Sequence, residues 1–225
     1  MPVRRNFILI LFLFLMVSGL CAQTGTDTVE LSSFRKGRNL VGLNGSISSS
    51  YLSNASSSND NSQLGNLYRF DLRLGKFVAN KNVVGLLFIA SRTQMIGYIN
   101  NKAEVLGIGP WYRLYLGKEP NIAFYLQTDI LYSNYYGESN GVQSFITIDE
   151  NLDVAGMRAA LGIGLSYVMG DRVSFDVGFE YNQARYWGEI TNHSTEERHD
   201  IVLDRGGFVF SFGFNVIFER LKRDD

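Results

Sequence analysis

The chain has 225 residues, 45% hydrophobic and 19% charged, with a formal net charge of −1. That length suits one domain, and the apolar content excludes wholesale disorder. A charge balance so close to zero gives no field for gathering a polyanion, which excludes nucleic acid as a partner.

The amino end carries Arg4 and Arg5, then the unbroken apolar run Phe7 to Val17, then Ser18-Gly19-Leu20-Cys21-Ala22-Gln23. A basic start, a short apolar core and a small-residue junction predict a cleaved signal peptide over residues 1–22. The run is shorter than the roughly 20 residues a spanning helix needs. Leu20 before Cys21 does not suit a lipoprotein junction. Cleavage removes Arg4, Arg5 and Cys21, leaving a net charge of −3 and no cysteine. Disulfide frameworks, thiolate metal sites and cysteine nucleophiles are thereby excluded.

Residues 23–38 read as a periplasmic amino-terminal segment, and from there the dominant signal is alternation at period two. In Leu40–Tyr51, Val41, Leu43, Ile47 and Tyr51 oppose Asn44, Ser46 and Ser48. In Tyr68–Leu74, Tyr68, Phe70, Leu72 and Leu74 oppose Arg69, Asp71 and Arg73. Val83–Ile96 is apolar on both parities at first, so its facing is ambiguous. Leu106–Leu116 sets Leu106, Ile108, Tyr112, Leu114 and Leu116 against Gly107, Gly109, Trp111 and Arg113. Pro110 interrupts it and predicts a bulge, because proline has no ladder donor. Phe124–Tyr132 sets Phe124, Leu126, Ile130 and Tyr132 against Gln127 and Asp129. Met157–Tyr167, Val173–Tyr181 and Gly206–Phe218 repeat the pattern, the last with Phe208, Phe210, Phe212, Phe214, Val216 and Phe218 on one face.

Tight connections fall at 79–82, 117–121 and 169–172; longer polar ones fall at 52–66, 136–152 and 185–205, with a shorter one at 97–102. Short and long connections alternate, so all the long ones leave from one end. The fold class is therefore all-β: an eight-stranded antiparallel transmembrane β-barrel over 39–219, with short periplasmic turns and long extracellular loops. Residues 220–225 form a periplasmic tail. A soluble barrel would need a charged outside rich in Lys and Glu, which these faces lack. Tyr68, Phe70, Tyr132, Tyr181 and Phe208 fall toward one rim and Tyr167 and Phe218 toward the other, as aromatic girdles do.

On that reading Arg69, Asp71, Arg73, Arg113, Asp129, Arg158, Asp176 and Glu180 point into the lumen. Four positive and four negative groups could pair as a hydrogen-bonded plug, since eight strands leave a lumen only wide enough for side chains. The alternative is a narrow polar path for small solutes or ions. The glycine pairs Gly107/Gly109 and Gly162/Gly164 make room inside strands rather than cradle phosphate. His193 and His199, with Ser194, Glu196, Glu197 and Asp200, are the only materials for a rim lipid-modifying enzyme or a metal site. They lie on a polar loop, so no enzyme, metal or cofactor is expected.

Gly107-Ile108-Gly109-Pro110-Trp111-Tyr112-Arg113-Leu114-Tyr115-Leu116 resembles the Gly-Pro-aromatic-x-Arg-x-Tyr stretch of the outer-membrane β-barrel domain family of Bacteroidetes-type bacteria. The Ala22-Gln23 junction is similar to that group's cleavage zone. Ser211, Gly213, Val216 and Phe218 resemble the family's carboxy-terminal assembly signal, although a charged tail follows them. The resemblance implies insertion by the barrel assembly machinery among outer-membrane lipid and lipopolysaccharide. A monomeric, non-enzymatic surface or structural protein that displays its loops is the expected role, with an unknown extracellular ligand.

Overall fold

The structure is a computed structural model describing residues 33–53, 62–96, 99–117, 119, 121–143, 146–192 and 197–219. The signal peptide expected over 1–22, residues 23–32 and the tail 220–225 lie outside the described residues. Eight strands follow in chain order: β1 (Asn39–Ser53), β2 (Ser62–Ala79), β3 (Asn82–Ile96), β4 (Ile99–Leu116), β5 (Ile122–Gln143), β6 (Ile146–Met169), β7 (Val173–Asn192) and β8 (Glu197–Phe218). Each pairs with its sequence neighbour, and β8 pairs with β1 to close the ring.

Alternation does the sorting. On β8, Phe208, Phe210, Phe212, Phe214, Val216 and Phe218 are exposed outward, while Asn215 and Ile217 are buried inward. Ten residue steps at strand rise, tilted as barrels require, make that outward apolar run about 25 Å tall. This is the height of an outer-membrane apolar band. On β3, Val84, Leu86 and Phe88 face out while Val83, Leu87 and Ile89 are buried. The sequence is ambiguous there because the lumen beside this wall is itself apolar.

Three short turns close one end of the barrel, at 80–81, 117–121 and 170–172. Gly117 and Gly170 adopt positive φ at no steric cost, and Lys81 and Asp171 adopt it against preference. Lys81 is held there by its N–H to the Phe34 carbonyl and its ammonium to the Gly117 carbonyl (2.7 and 2.6 Å).

Two expectations need correction. Pro110 makes no bulge: it pairs with Leu86 in unbroken β3–β4 register. On the β5 side the ladder runs from Ile108–Tyr132 to Trp111–Asp129 without a shift, missing only the pairs at Gly109 and Pro110. A Cβ at Gly109 would lie 2.1 Å from the Ile130 carbonyl, so glycine lets the backbones close up beside the missing donor. Of the segments expected as long loops, the described residues of 136–152 and 185–205 are strand, while 54–61 lie outside the described residues. β5–β6 and β7–β8 continue as ladders through Gln143–Ile146 and Asn192–Glu197, forming hairpins that project past the apolar belt.

The closing seam is uneven. β1 pairs with β8 only from Asn39–Phe218 to Gly45–Phe212, seven pairs, although both strands run on toward the hairpin end.

Candidate functional site in the lumen

The lumen is filled in tiers. At the turn end, residues 33–38 cross the mouth as a strap. Phe34 is buried and stacks on Tyr115, ring centroids 4.0 Å apart, with Phe77 6.1 Å away. Trp111, Tyr125, Leu40, Val83 and Ile217 join the same cluster. Glycines make the space: a Cβ at Gly164 would lie 2.3 Å from Tyr125, and one at Gly75 would lie 2.8 Å from Trp111. Arg38 ties the strap down, donating from Nη1 to Asp171 Oδ1 (2.9 Å) and from Nη2 to the Asp171 carbonyl (2.8 Å). Arg35 pairs with Glu219 beyond β8. Partial burial would raise the Asp171 carboxyl, but hydrogen bonds from Ser33 and Arg38 outweigh it and hold the group below the usual carboxylate range.

Above the aromatics sit all eight charges expected in the lumen, in two groups. Arg113 is fully buried and pairs with Asp176. Its Nε and Nη2 donate to Gln127 Oε1 (3.0 and 2.7 Å), and its guanidinium lies 4.0 Å from the Tyr125 ring centroid. Ser166 donates to the same Asp176 (2.8 Å). The second group chains six residues. Arg69 grips Asp71 through Nε and Nη2 (2.7 and 2.9 Å) and reaches Glu180 with Nη1 (2.9 Å). Arg158 links Glu180 to Asp129, the latter at 2.8 Å, and Arg73 reaches Asp71 at 3.4 Å. Such pairs survive burial where hydrogen bonds occupy their remaining valences, as around Arg113 and Asp176, whereas Arg73 Nε and Nη1 and Asp129 Oδ2 have no partner among the described residues.

The hairpin half is emptier. A cavity of about 630 Å³ takes its lining from seven of the eight strands, including Gly45, Ser46, Arg69, Ser91, Val105, Tyr135 and Phe212, so it lies within the wall. Ser46 is 5% exposed, and its hydroxyl has no hydrogen-bond partner among the described residues. Beyond it a second apolar cluster of Ala103, Tyr135, Val154, Ala184 and Tyr186 lines the projecting hairpins. Arg205 lies over Tyr135 at 4.9 Å.

The residues of the expected assembly signal are placed by the seam. Ser211 and Gly213 face inward, Val216 and Phe218 outward. A Cβ at Gly213 would lie 2.4 Å from the Leu43 carbonyl, so glycine permits β8 to approach β1. His193, Ser194 and Glu196 lie outside the described residues. His199 sits on β8 opposite Ile190, on strand rather than loop as the sequence suggested. No group of three or more metal-ligating side chains occurs among the described residues. The sequence reading missed the strap residues Phe34 and Arg38. It could have found Tyr115 and Tyr125, which share the inward parity of Arg113 and Gln127.

No family model matches the chain. No curated protein matches it either. Solved structures do. Outer membrane protein OprG from Pseudomonas aeruginosa aligns with 14% identity and a TM-score of 0.52, covering 84% of this chain and all of that one. Neisserial surface protein A aligns at 17% identity and TM-score 0.44, covering 81% of this chain and 98% of that one. The outer membrane protease OmpT of Escherichia coli aligns at 9% identity and TM-score 0.49, covering 87% and 99%. The OprG likeness is one of fold: this chain has the architecture of a small outer-membrane β-barrel.

Proposed function

We propose that the protein is an integral outer-membrane barrel, closed to through-flow, whose working surface is its outer face. Exposed apolar residues around the ring suit lipid, and the turns with both described termini suit the periplasmic side. The reading rests on the two filled tiers: the Phe34–Tyr115 stack across the mouth and the paired charges above it. An eight-stranded lumen filled this way leaves no continuous polar path. The projecting β5–β6 and β7–β8 hairpins, beyond the apolar belt, are the parts available to meet a protein, glycan or lipopolysaccharide. Ser211, Gly213, Val216 and Phe218 support delivery by the barrel assembly machinery after removal of residues 1–22.

The test is planar-bilayer conductance of the refolded protein, with gel mobility before and after boiling showing that it has folded. A folded, electrically silent barrel is the expected outcome. Steady, reproducible openings would replace this reading with the narrow channel.

A further inference from the structure

The β1–β8 ladder stops at Gly45–Phe212, while outward apolar residues continue past it as Ile47, Phe208 and Phe210. The unpaired part of the seam therefore begins inside the lipid-facing belt, where backbone groups without partners are costly. Among the described residues, β1 beyond Gly45 is paired on its β2 side only, and β8 above Phe212 on its β7 side only. Of the residues lining the lumen cavity, Phe212 alone belongs to β8, so the β8 edge from Phe208 to Ser211 does not border that space. Ile47 and Phe208 are 71% and 82% exposed, the most of any large apolar side chain described. Two bare strand edges thus lie side by side in the wall, and a bare edge is a template for another chain.

Strand direction narrows the choice of occupant. β1 runs from the turn end toward the hairpin end and β8 runs back, so the two edges point in opposite senses. One inserted strand is antiparallel to only one of them and leaves the other with the weaker parallel pairing. A second copy, turned by half a revolution about the membrane normal, brings a descending β8 to β1 and an ascending β1 to β8 at once. Both new ladders are then antiparallel, both copies stand the same way up in the bilayer, and the contact closes on itself as a two-fold interface does. A foreign hairpin meets the same polarity, but the second copy needs nothing beyond this chain. We infer that the hairpin half of the seam is a homodimer interface within the membrane, β1 of each copy pairing with β8 of the other, in place of the monomer expected from the sequence. The seven lower pairs stay within each chain, so each barrel remains closed at its turn end. The inference rests on the proposed membrane embedding.

The experiment mixes two single-cysteine forms of the full barrel, as processed by the cell and each carrying Cys21→Ser, in phosphatidylcholine vesicles. One has Ile47→Cys and the other Phe208→Cys or Phe210→Cys, so a disulfide between these positions forms only between copies. Continuing the register of the lower ladder places Ile47 opposite Phe210. Oxidation with copper phenanthroline should join the two forms, read as disulfide-linked peptides by mass spectrometry. The expected yield is several-fold above that of a control in which Tyr132→Cys, outward on β5 across the ring from the seam, replaces Ile47→Cys. The unaltered barrel should sediment in density-matched micelles with the mass of two chains. A mixed disulfide no more frequent than the control, or a one-chain mass, overturns the dimer interface. Gel mobility before and after boiling shows that each variant has folded. Folded variants that fail to float with the vesicles would instead refute the membrane embedding itself.

Discussion

The two halves of this barrel use the same alternating strands to opposite ends. In the turn half, β1 and β8 pair, Arg38 and Arg35 latch across to Asp171 and Glu219, and large side chains and ion pairs fill the lumen. In the hairpin half, β1 and β8 part, the lumen holds a cavity, and the remaining strands run on as projecting hairpins. What differs is what the inward positions carry: Trp111, Arg113, Tyr115, Tyr125 and Gln127 below, against Ser46, Ser91, Val105 and Gly207 above. Stability and openness are thus segregated along one axis.

Substitutions should respect that division, with the largest effect below. Arg113→Ala strands Asp176 without its partner in a dry interior and should cost about 3–5 kcal/mol in urea unfolding from lipid vesicles. A cost under about 1 kcal/mol would mean that water reaches this tier. Gly164→Ala drives a methyl into Tyr125 and the Val177 carbonyl, with an expected loss of about 2 kcal/mol by the same assay. Arg38→Ala releases the strap from Asp171 and should cost about 1–2 kcal/mol. The Arg38–Asp171 pair also makes the strap acid-sensitive. Because the folded Asp171 carboxyl is held below its unfolded value, its contribution is complete above that unfolded value. It fades as pH falls through the lower, folded one, and an Asp171→Asn variant should lack this acid limb. Gly207→Ala, in the open half, should shift stability by less than about 0.5 kcal/mol. A larger loss there would blur the contrast.

Most of the lipid-facing belt was legible in the sequence. A lipid-facing strand must keep one parity apolar, so Phe208 to Phe218 and Tyr68 to Leu74 announce both their conformation and their facing. The inward charges followed from the same parity, since any charge opposite a greasy face has to be inside. The upper hairpins were less legible because water bathes their outer face, and residues such as Gln183, Glu189 and Asp204 then carry no strict alternation. Their inward residues, Tyr186, Val154 and Leu203, do alternate, but too sparsely to separate strand from loop. The strap could not be read at all. Phe34 sits among polar residues, and only the three-dimensional closeness of Tyr115 and Phe77 gives it a place. The uneven seam was hidden for a different reason, because how far first and last strands pair depends on the stagger of all eight.

The strap also bears on the order of assembly. Ser33 to Arg38 lie just ahead of the first strand, yet their partners, Lys81, Asp171 and Ile217, are spread along the chain as far as the last. Contacts of such long sequence separation form late. A half-built sheet therefore leaves Phe34 outside and Arg38 open to a trypsin-like protease, whereas the finished cylinder buries both. Resistance to cleavage after Arg38 is accordingly a marker of completion: a molecule that withstands it has joined its first strand to its last.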